Sequence, residues 1–74
     1  MTVTLKLKSG LEKVVSKSVI QCEISCEKRI IDLLREINFP VDMAGIVVVD
    51  GKKKSKDCLL RGGELVKVFP ATFN

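Results

Sequence analysis

Only one segment of this chain has the spacing of an amphipathic α-helix, and strand-like apolar segments lie on both sides of it. Four aliphatic residues follow at i, i+3, i+4 and i+7, which lines one stripe of a helix: Ile30, Leu33, Leu34 and Ile37. We predict this helix over residues 26–37, with Ser25 as its N-cap and Pro40 beyond its end. A single helix must therefore cover the apolar faces of all the strands.

Alternating apolar and polar residues predict strands at both ends of the chain. Residues 2–8 place Val3, Leu5 and Leu7 on one face. Residues 19–24 predict a second strand that pairs back on the first, with these residues on one face: Ile20, Cys22 and Ile24. The last strand, residues 64–69, places two valines on one face and three other side chains on the opposite face: Val66 and Val68 against Leu65, Lys67 and Phe69. Pro70 is expected to end the pairing of this strand.

The middle of the chain predicts a hairpin and two further reversals. The apolar run 45–49 ends in Asp50-Gly51, a dipeptide suited to a two-residue turn in which both residues have positive φ. The lysine run Lys52-Lys53-Lys54-Ser55-Lys56 is expected to form a short return strand. Residues 57–60 are predicted to form one tight turn with both leucines in the core, and residues 61–63 a second reversal.

This order of elements predicts an α+β fold in which one mixed sheet of four to five strands has one helix packed across it. A chain of 74 residues is expected to make a single domain, residues 1–74. At this length about 60% of the unfolded surface is buried, which leaves no room for a deep active-site cavity.

Composition narrows the possible partners. The net charge of +4 suggests an anionic partner, but the lysine run follows a turn and is expected to be a solvated hairpin. Three phenylalanines with no tyrosine or tryptophan provide few stacking platforms, so nucleic acid is not favoured. No segment resembles a signal peptide or a membrane span, and we expect a cytoplasmic protein without a membrane partner.

The cysteines do not predict a metal or redox site. The chain has an odd number of cysteines, Cys22, Cys26 and Cys58, so they cannot all pair in disulfides within the chain. It also has no histidine to complete a metal site. We expect reduced, structural thiols and no cofactor. Cys26, in the first turn of the predicted helix, is the candidate nucleophile of an enzyme hypothesis, but no histidine serves as its base. The expectation is that the chain is not an enzyme.

The second half of the chain carries a family resemblance. It runs from Val47-Val48-Val49-Asp50-Gly51-Lys52, through Asp57-Cys58-Leu59-Leu60-Arg61-Gly62-Gly63-Glu64-Leu65-Val66, to Phe69-Pro70. This resembles the molybdopterin-synthase small subunit and the thiamine-pathway sulfur carrier, in the ubiquitin-like sulfur-carrier superfamily. The resemblance implies a β-grasp fold and two partners, an ATP-dependent adenylating enzyme and a sulfur-accepting synthase subunit.

The resemblance is incomplete at the tail. Residues 71–74 read Ala71-Thr72-Phe73-Asn74, where the family has a terminal glycine pair whose carboxylate is adenylated. No thiocarboxylate position is therefore carried over, and no catalytic, cofactor or metal residue is assigned. Gly62-Gly63 is no substitute, because cleavage there would remove the final strand. The turn, the reversal and the last strand are shared with TGS-type regulatory domains, and in that alternative the lysine run contacts RNA or another anionic ligand.

The outward face of the last strand is the candidate site. Leu65 and Phe69 are expected to point away from the helix, with Pro70 beside them. Apolar residues on the exposed face of a small charged protein tend to mark a partner surface. Leu65, Phe69 and Pro70 are therefore the predicted partner interface.

Overall fold

The computed structural model describes residues 1–70, and its main feature is one mixed sheet of five strands. In chain order the elements are β1 (Thr2–Leu7), α1 (Glu12–Val15), β2 (Val19–Glu23), β3 (Lys28–Arg29), α2 (Ile30–Glu36), a 3-10 turn (Val41–Met43), β4 (Ala44–Val49), β5 (Lys52–Lys54), β6 (Leu59–Leu60) and β7 (Leu65–Pro70). The strand order is β2-β1-β7-β4-β5, and a separate small sheet joins β3 to β6. The predicted mixed sheet is confirmed.

The first and last strands lie side by side at the centre of the sheet. β1 and β7 pair in parallel, with Leu5 opposite Val66 and Leu7 opposite Val68, while all other neighbouring strands are antiparallel. Parallel neighbours need a long connection between them, and here the connection is the whole intervening chain.

One face of the sheet forms the core together with α2. The buried residues of the sheet are Val3, Leu5, Leu7, Cys22, Ala44, Val47, Val49, Val66 and Val68, and those of the helix are Ile30, Leu33 and Leu34. Ile37 is half-buried against the same cluster. The helical stripe predicted from the sequence therefore meets the predicted strand faces. Leu11 and Phe39, which the alternation did not single out, are also buried there.

The hairpin between β4 and β5 turns where the sequence predicted. Asp50 and Gly51 both have positive φ, 50° and 85°. The Asp50 carboxylate accepts a hydrogen bond from the Leu65 backbone N–H at 3.0 Å, and the Asp50 N–H donates to the Leu65 carbonyl at 2.9 Å. The turn is thus fastened to the start of β7.

The helix is shorter than predicted, and its N-cap was wrong. α2 begins at Ile30, and Arg29 rather than Ser25 occupies the N-cap position, without a side-chain cap. Residues before it are used elsewhere, because Lys28–Arg29 pairs as β3 with Leu59–Leu60. The Ile30 N–H donates to the Cys58 carbonyl at 3.0 Å, so a tertiary hydrogen bond takes the place of a helical cap.

Two other local predictions are corrected. Residues 57–60 are not one turn with two buried leucines, since Leu60 is fully buried while Leu59 is 52% exposed. Pairing of β7 extends to Pro70, which lies opposite Ala44. The short helix α1 was not predicted, because four residues carry too little periodicity. No helix within residues 1–70 has the length and apolar character needed to cross a bilayer.

The loop that precedes β7 places the start of that strand beside β1. The Glu64 carboxylate accepts hydrogen bonds from the N–H groups of Arg61 and Gly62 at 2.8 and 2.7 Å. The backbone carbonyl of Glu64 accepts a hydrogen bond from the Thr4 N–H at 3.1 Å. Burial by itself raises the pKa of the Glu64 carboxyl. The net shift is nevertheless downward, because the carboxylate accepts from the backbone N–H groups of Arg61, Gly62 and Glu64 itself and lies near the Arg61 charge.

Replacing Glu64 with Gln is expected to destabilise the protein by about 1 kcal/mol at neutral pH, because one charged acceptor is lost. A lowered folded-state pKa gives stability that is present above the unfolded value and is lost as pH falls through the folded value. The wild-type advantage should therefore shrink from about pH 5 downward, as measured by urea unfolding. Asp42→Asn, which alters an exposed carboxylate on the 3-10 turn, is the control. An equal loss in both variants would contradict this role of Glu64.

The two leucines of β6 provide a matched test of the core. Leu60→Ala should cost about 2–5 kcal/mol because it opens a cavity at a fully buried site. Leu59→Ala should cost less than about 1 kcal/mol, since half of that side chain is already in water. Chemical denaturation measures both, and similar losses would show that the assigned faces of β6 are wrong.

Candidate functional site

The sheet face opposite α2, here called the outer face, is the site that the fold leaves available. Along each strand, side chains alternate between the core and this face. On β7, Val66 and Val68 are buried, so the three residues between and beside them point outward: Leu65, Lys67 and Phe69. All three are half-buried. The structure therefore places two of the predicted interface residues, Leu65 and Phe69, on the outer face.

Phe69 has an apolar neighbour that the sequence did not single out. Ile46 of β4 is its cross-strand partner and is 45% exposed. A register shift at Gly45 precedes this pair, and beyond it Val48 also points outward. We call Ile46, Val48 and Phe69 the apolar patch. Pro70 follows at the end of the strand, where it is half-buried.

A row of lysines crosses the outer face beside this patch. Strand register aligns five residues, one from each strand, in the order Val19, Lys6, Lys67, Val48 and Lys53. We call Lys6, Lys67 and Lys53 the lysine row. With about 4.8 Å between neighbouring strands, the row spans about 14 Å. It separates Leu65 from Phe69, so the predicted interface residues do not form one continuous surface.

Within residues 1–70, no acidic group forms an ion pair with this row. The ion pairs within residues 1–70 use five cations, none of them in the row: the terminal amine, Lys28, Arg29, Arg35 and Arg61. Glu23 lies on β2, but its carboxylate is engaged by the terminal amine at 2.7 Å and by the Thr2 hydroxyl at 2.8 Å. Those hydrogen bonds, the amine first, lower the pKa of Glu23 and keep it ionised.

The lysine run divides into two environments. Lys52–Lys54 forms the exposed edge strand β5, as expected for a solvated hairpin. Lys56 is half-buried, and its amine donates to the Val41 carbonyl at 3.3 Å, so it fastens the hairpin to the 3-10 turn. An open groove lies here, lined by Gly45, Lys53, Lys54, Ser55 and Lys56.

The three cysteines differ in exposure. Cys26 is exposed but lies outside α2, so it has no place in a first helical turn. Cys22 is buried, and burial raises the pKa of its thiol, with the Glu36 carboxylate acting in the same direction. Within residues 1–70, no three cysteine or carboxylate side chains lie close enough together to hold a metal ion.

A sheet with one helix across it and with its first and last strands paired in parallel at the centre defines the ubiquitin-like β-grasp class. The predicted fold class is confirmed. The chain is similar to a candidate molybdopterin converting factor, subunit 1, from Pyrococcus furiosus, with 23% identity and a TM-score of 0.75 over 97% of this chain and 99% of that one.

Two proteins of Haloferax volcanii are also similar. One is small archaeal modifier protein 1, with 15% identity and a TM-score of 0.75 over 96% of this chain and 98% of that one. The other is the HVO 2177 protein, with 18% identity and a TM-score of 0.79 over 99% of this chain and 85% of that one. No protein-family model and no curated protein matches the chain. The likeness agrees with the resemblance found in the sequence, and at these identities it is a likeness of fold.

Alkylation should follow the exposure of the three thiols. With iodoacetamide, Cys26 is expected to react first and at the rate of an unstructured thiol, while Cys22 should react at least about tenfold more slowly because it is buried. Peptide mass spectrometry over time measures this, with the urea-unfolded chain as the reference. A Cys26 rate well above that reference would revive the nucleophile hypothesis.

Proposed function

We propose that this chain is a small ubiquitin-like protein of the sulfur-carrier type, which works as a carrier or interaction module for other proteins. The observation that carries the proposal is the outer face of the β-grasp sheet, where Phe69 and Ile46 are paired and partly exposed. Two of the similar structures agree with it by name, one as a molybdopterin converting factor subunit and one as a small modifier protein.

The position of the apolar patch suits a carrier. Phe69 and Pro70 are the last two residues of β7, so a partner that holds the patch also holds the end of this strand. In the carrier family, the chain end must reach into the partner's site. Residues 71–74, which stand where the family has its terminal glycine pair, lie outside the described residues.

This position defines the partners that we propose. An ATP-dependent adenylating enzyme would bind the patch while it acts on the chain end, and a sulfur-accepting synthase subunit would bind it in turn. The chain itself would serve as substrate and carrier in a cytoplasmic pathway, and not as the enzyme. The carrier step is tested by intact-mass analysis after incubation with an adenylating enzyme from the same source and ATP. An unchanged mass with tight binding would leave an interaction module that is not a carrier.

A TGS-like regulatory domain is the second candidate, and one observation favours it. The three lysines of β5 are exposed and take part in no ion pair within the described part of the chain. Binding through these amines to phosphates would weaken steeply as salt rises. A titration with generic RNA at two salt concentrations separates this candidate from the first.

The apolar patch predicts the effect of one substitution on partner binding. Phe69→Ala should weaken binding of the adenylating enzyme about tenfold, because aromatic anchors at the centre of an interface carry much of the affinity. Leu59→Ala is the control, since it removes an exposed apolar side chain on the separate small sheet. Calorimetry measures the affinities, and circular dichroism checks that both variants fold. Equal affinity of Phe69→Ala and wild type would count against the patch.

A further inference from the structure

The lysine row is a feature that the fold itself does not use. Lys6 and Lys67 lie directly opposite each other on the paired central strands, and within residues 1–70 neither has a carboxylate partner. Like charges at directly opposite positions of a sheet destabilise the pairing. The repulsion therefore lies at the pairing on which the sheet is built.

The acidic residues within residues 1–70 do not offset this repulsion by pairing with the row, because most of their carboxylates are engaged elsewhere. Of the acidic residues, Glu23 is the one placed on an outward position of the sheet, and its carboxylate is held by the terminal amine and Thr2. Four other carboxylates are paired with cations outside the row. They are Glu27, Asp32, Glu36 and Asp57. The carboxylates of Asp50 and Glu64 accept from backbone N–H groups. Within the described residues, the lysine amines of the outer face therefore have no carboxylate paired with them.

The lysine stems and the apolar patch form one surface. Lys6 and Lys67 are half-buried, as is typical of lysines whose methylene groups cover apolar surface while their amines stay in water. Val48 lies within the row, between Lys67 and Lys53, and Ile46 and Phe69 lie beside it. A partner that covers the patch must also cover the amines.

We propose that the outer face selects an acidic partner protein, whose carboxylates lie over Lys6, Lys67 and Lys53 while apolar side chains cover Ile46 and Phe69. This deepens the proposed function, on which it rests, by stating the chemistry of the surface that the partner presents. Carboxylates placed over the row would relieve the repulsion between Lys6 and Lys67, so binding would remove a cost that the free protein bears. They would also accelerate association at low salt.

A nucleic acid is the competing anionic ligand, but the face suits it less well. The apolar side chains here include one aromatic ring, Phe69, half-buried against Ile46. Single-stranded nucleic acids are bound by several stacking rings along a basic groove. An apolar centre with amines around it is instead the arrangement of a protein interface.

The experiment uses defined probes and a charge-matched pair of variants. Lys6→Glu with Lys67→Glu changes the formal net charge from +4 to 0, and so does the control, Lys13→Glu with Lys17→Glu, at exposed residues on and just after α1. The probes are a twelve-residue peptide of alternating Leu and Glu, its Leu and Gln counterpart, and a twelve-nucleotide oligouridine. Amide shifts in two-dimensional NMR spectra report the site and affinity of each probe at low and high salt.

We expect the acidic peptide to shift the amides of Lys6, Val48, Lys67 and Phe69, and to bind wild type and the control variant alike. The double variant on the row should bind it at least about fivefold more weakly, and high salt should do the same to wild type. The melting temperature of Lys67→Glu alone should rise by a few degrees, because repulsion becomes attraction. Phe69→Ala should weaken both peptides.

Each other outcome would overturn the inference. Equal binding of the Leu and Gln peptide would leave the patch, and with it the proposed function, but refute the preference for acid. An equal loss in the control variant would mean that net charge alone matters. Tighter binding of oligouridine to the same amides would identify an RNA surface. No shift on the outer face with either peptide would refute the docking surface itself.

Discussion

The parallel pairing of the first and last strands is the interaction on which the whole structure depends. β1 and β7 are the two central strands, so every other strand of the large sheet is attached to one of them. Their inward side chains, such as Leu5 and Val66, are fully buried beneath α2. The hydrogen bonds of Glu64 and Asp50 both act at the start of β7, which fixes where that strand enters the pairing. The outward residues of β7 are positioned by the same constraint.

Pairing of this kind divides the molecule into two chemically different sides. The inner side of the sheet is aliphatic, and the ion pairs of the described residues gather on the helix, the small sheet and the terminal amine. The outer side combines exposed apolar groups with lysines. On this side, the opposition of Lys6 and Lys67 acts against the stability of the free protein. Features that act against stability are expected where a protein has a function to perform.

Sequence reasoning was most successful where a period decides the structure and least where distant segments meet. Alternation assigned the faces of β1 and β7, and Asp50-Gly51 marked its turn, because these signals are local. The start of α2 was placed too early, because Lys28–Arg29 is drawn into pairing with β6, a partner about thirty residues away. Phe69 could be predicted to face outward from β7 alone. Its pairing with Ile46 could not be predicted, because the register shift at Gly45 determines which residue of β4 lies opposite Phe69.

The lysine row could not be predicted from the sequence, because the register between distant strands forms it. Lys6, Lys67 and Lys53 are far apart in the sequence, and each looks like an ordinary solvated lysine in its own strand. Only the register of β1, β7, β4 and β5 puts them in one line with Val48. A one-residue slip of β7 would turn Lys67 toward the core, which the burial of Val66 and Val68 forbids. The burial that holds the sheet together therefore also fixes the charge pattern of its outer face, so a partner meets the same arrangement of amines and apolar groups in every molecule.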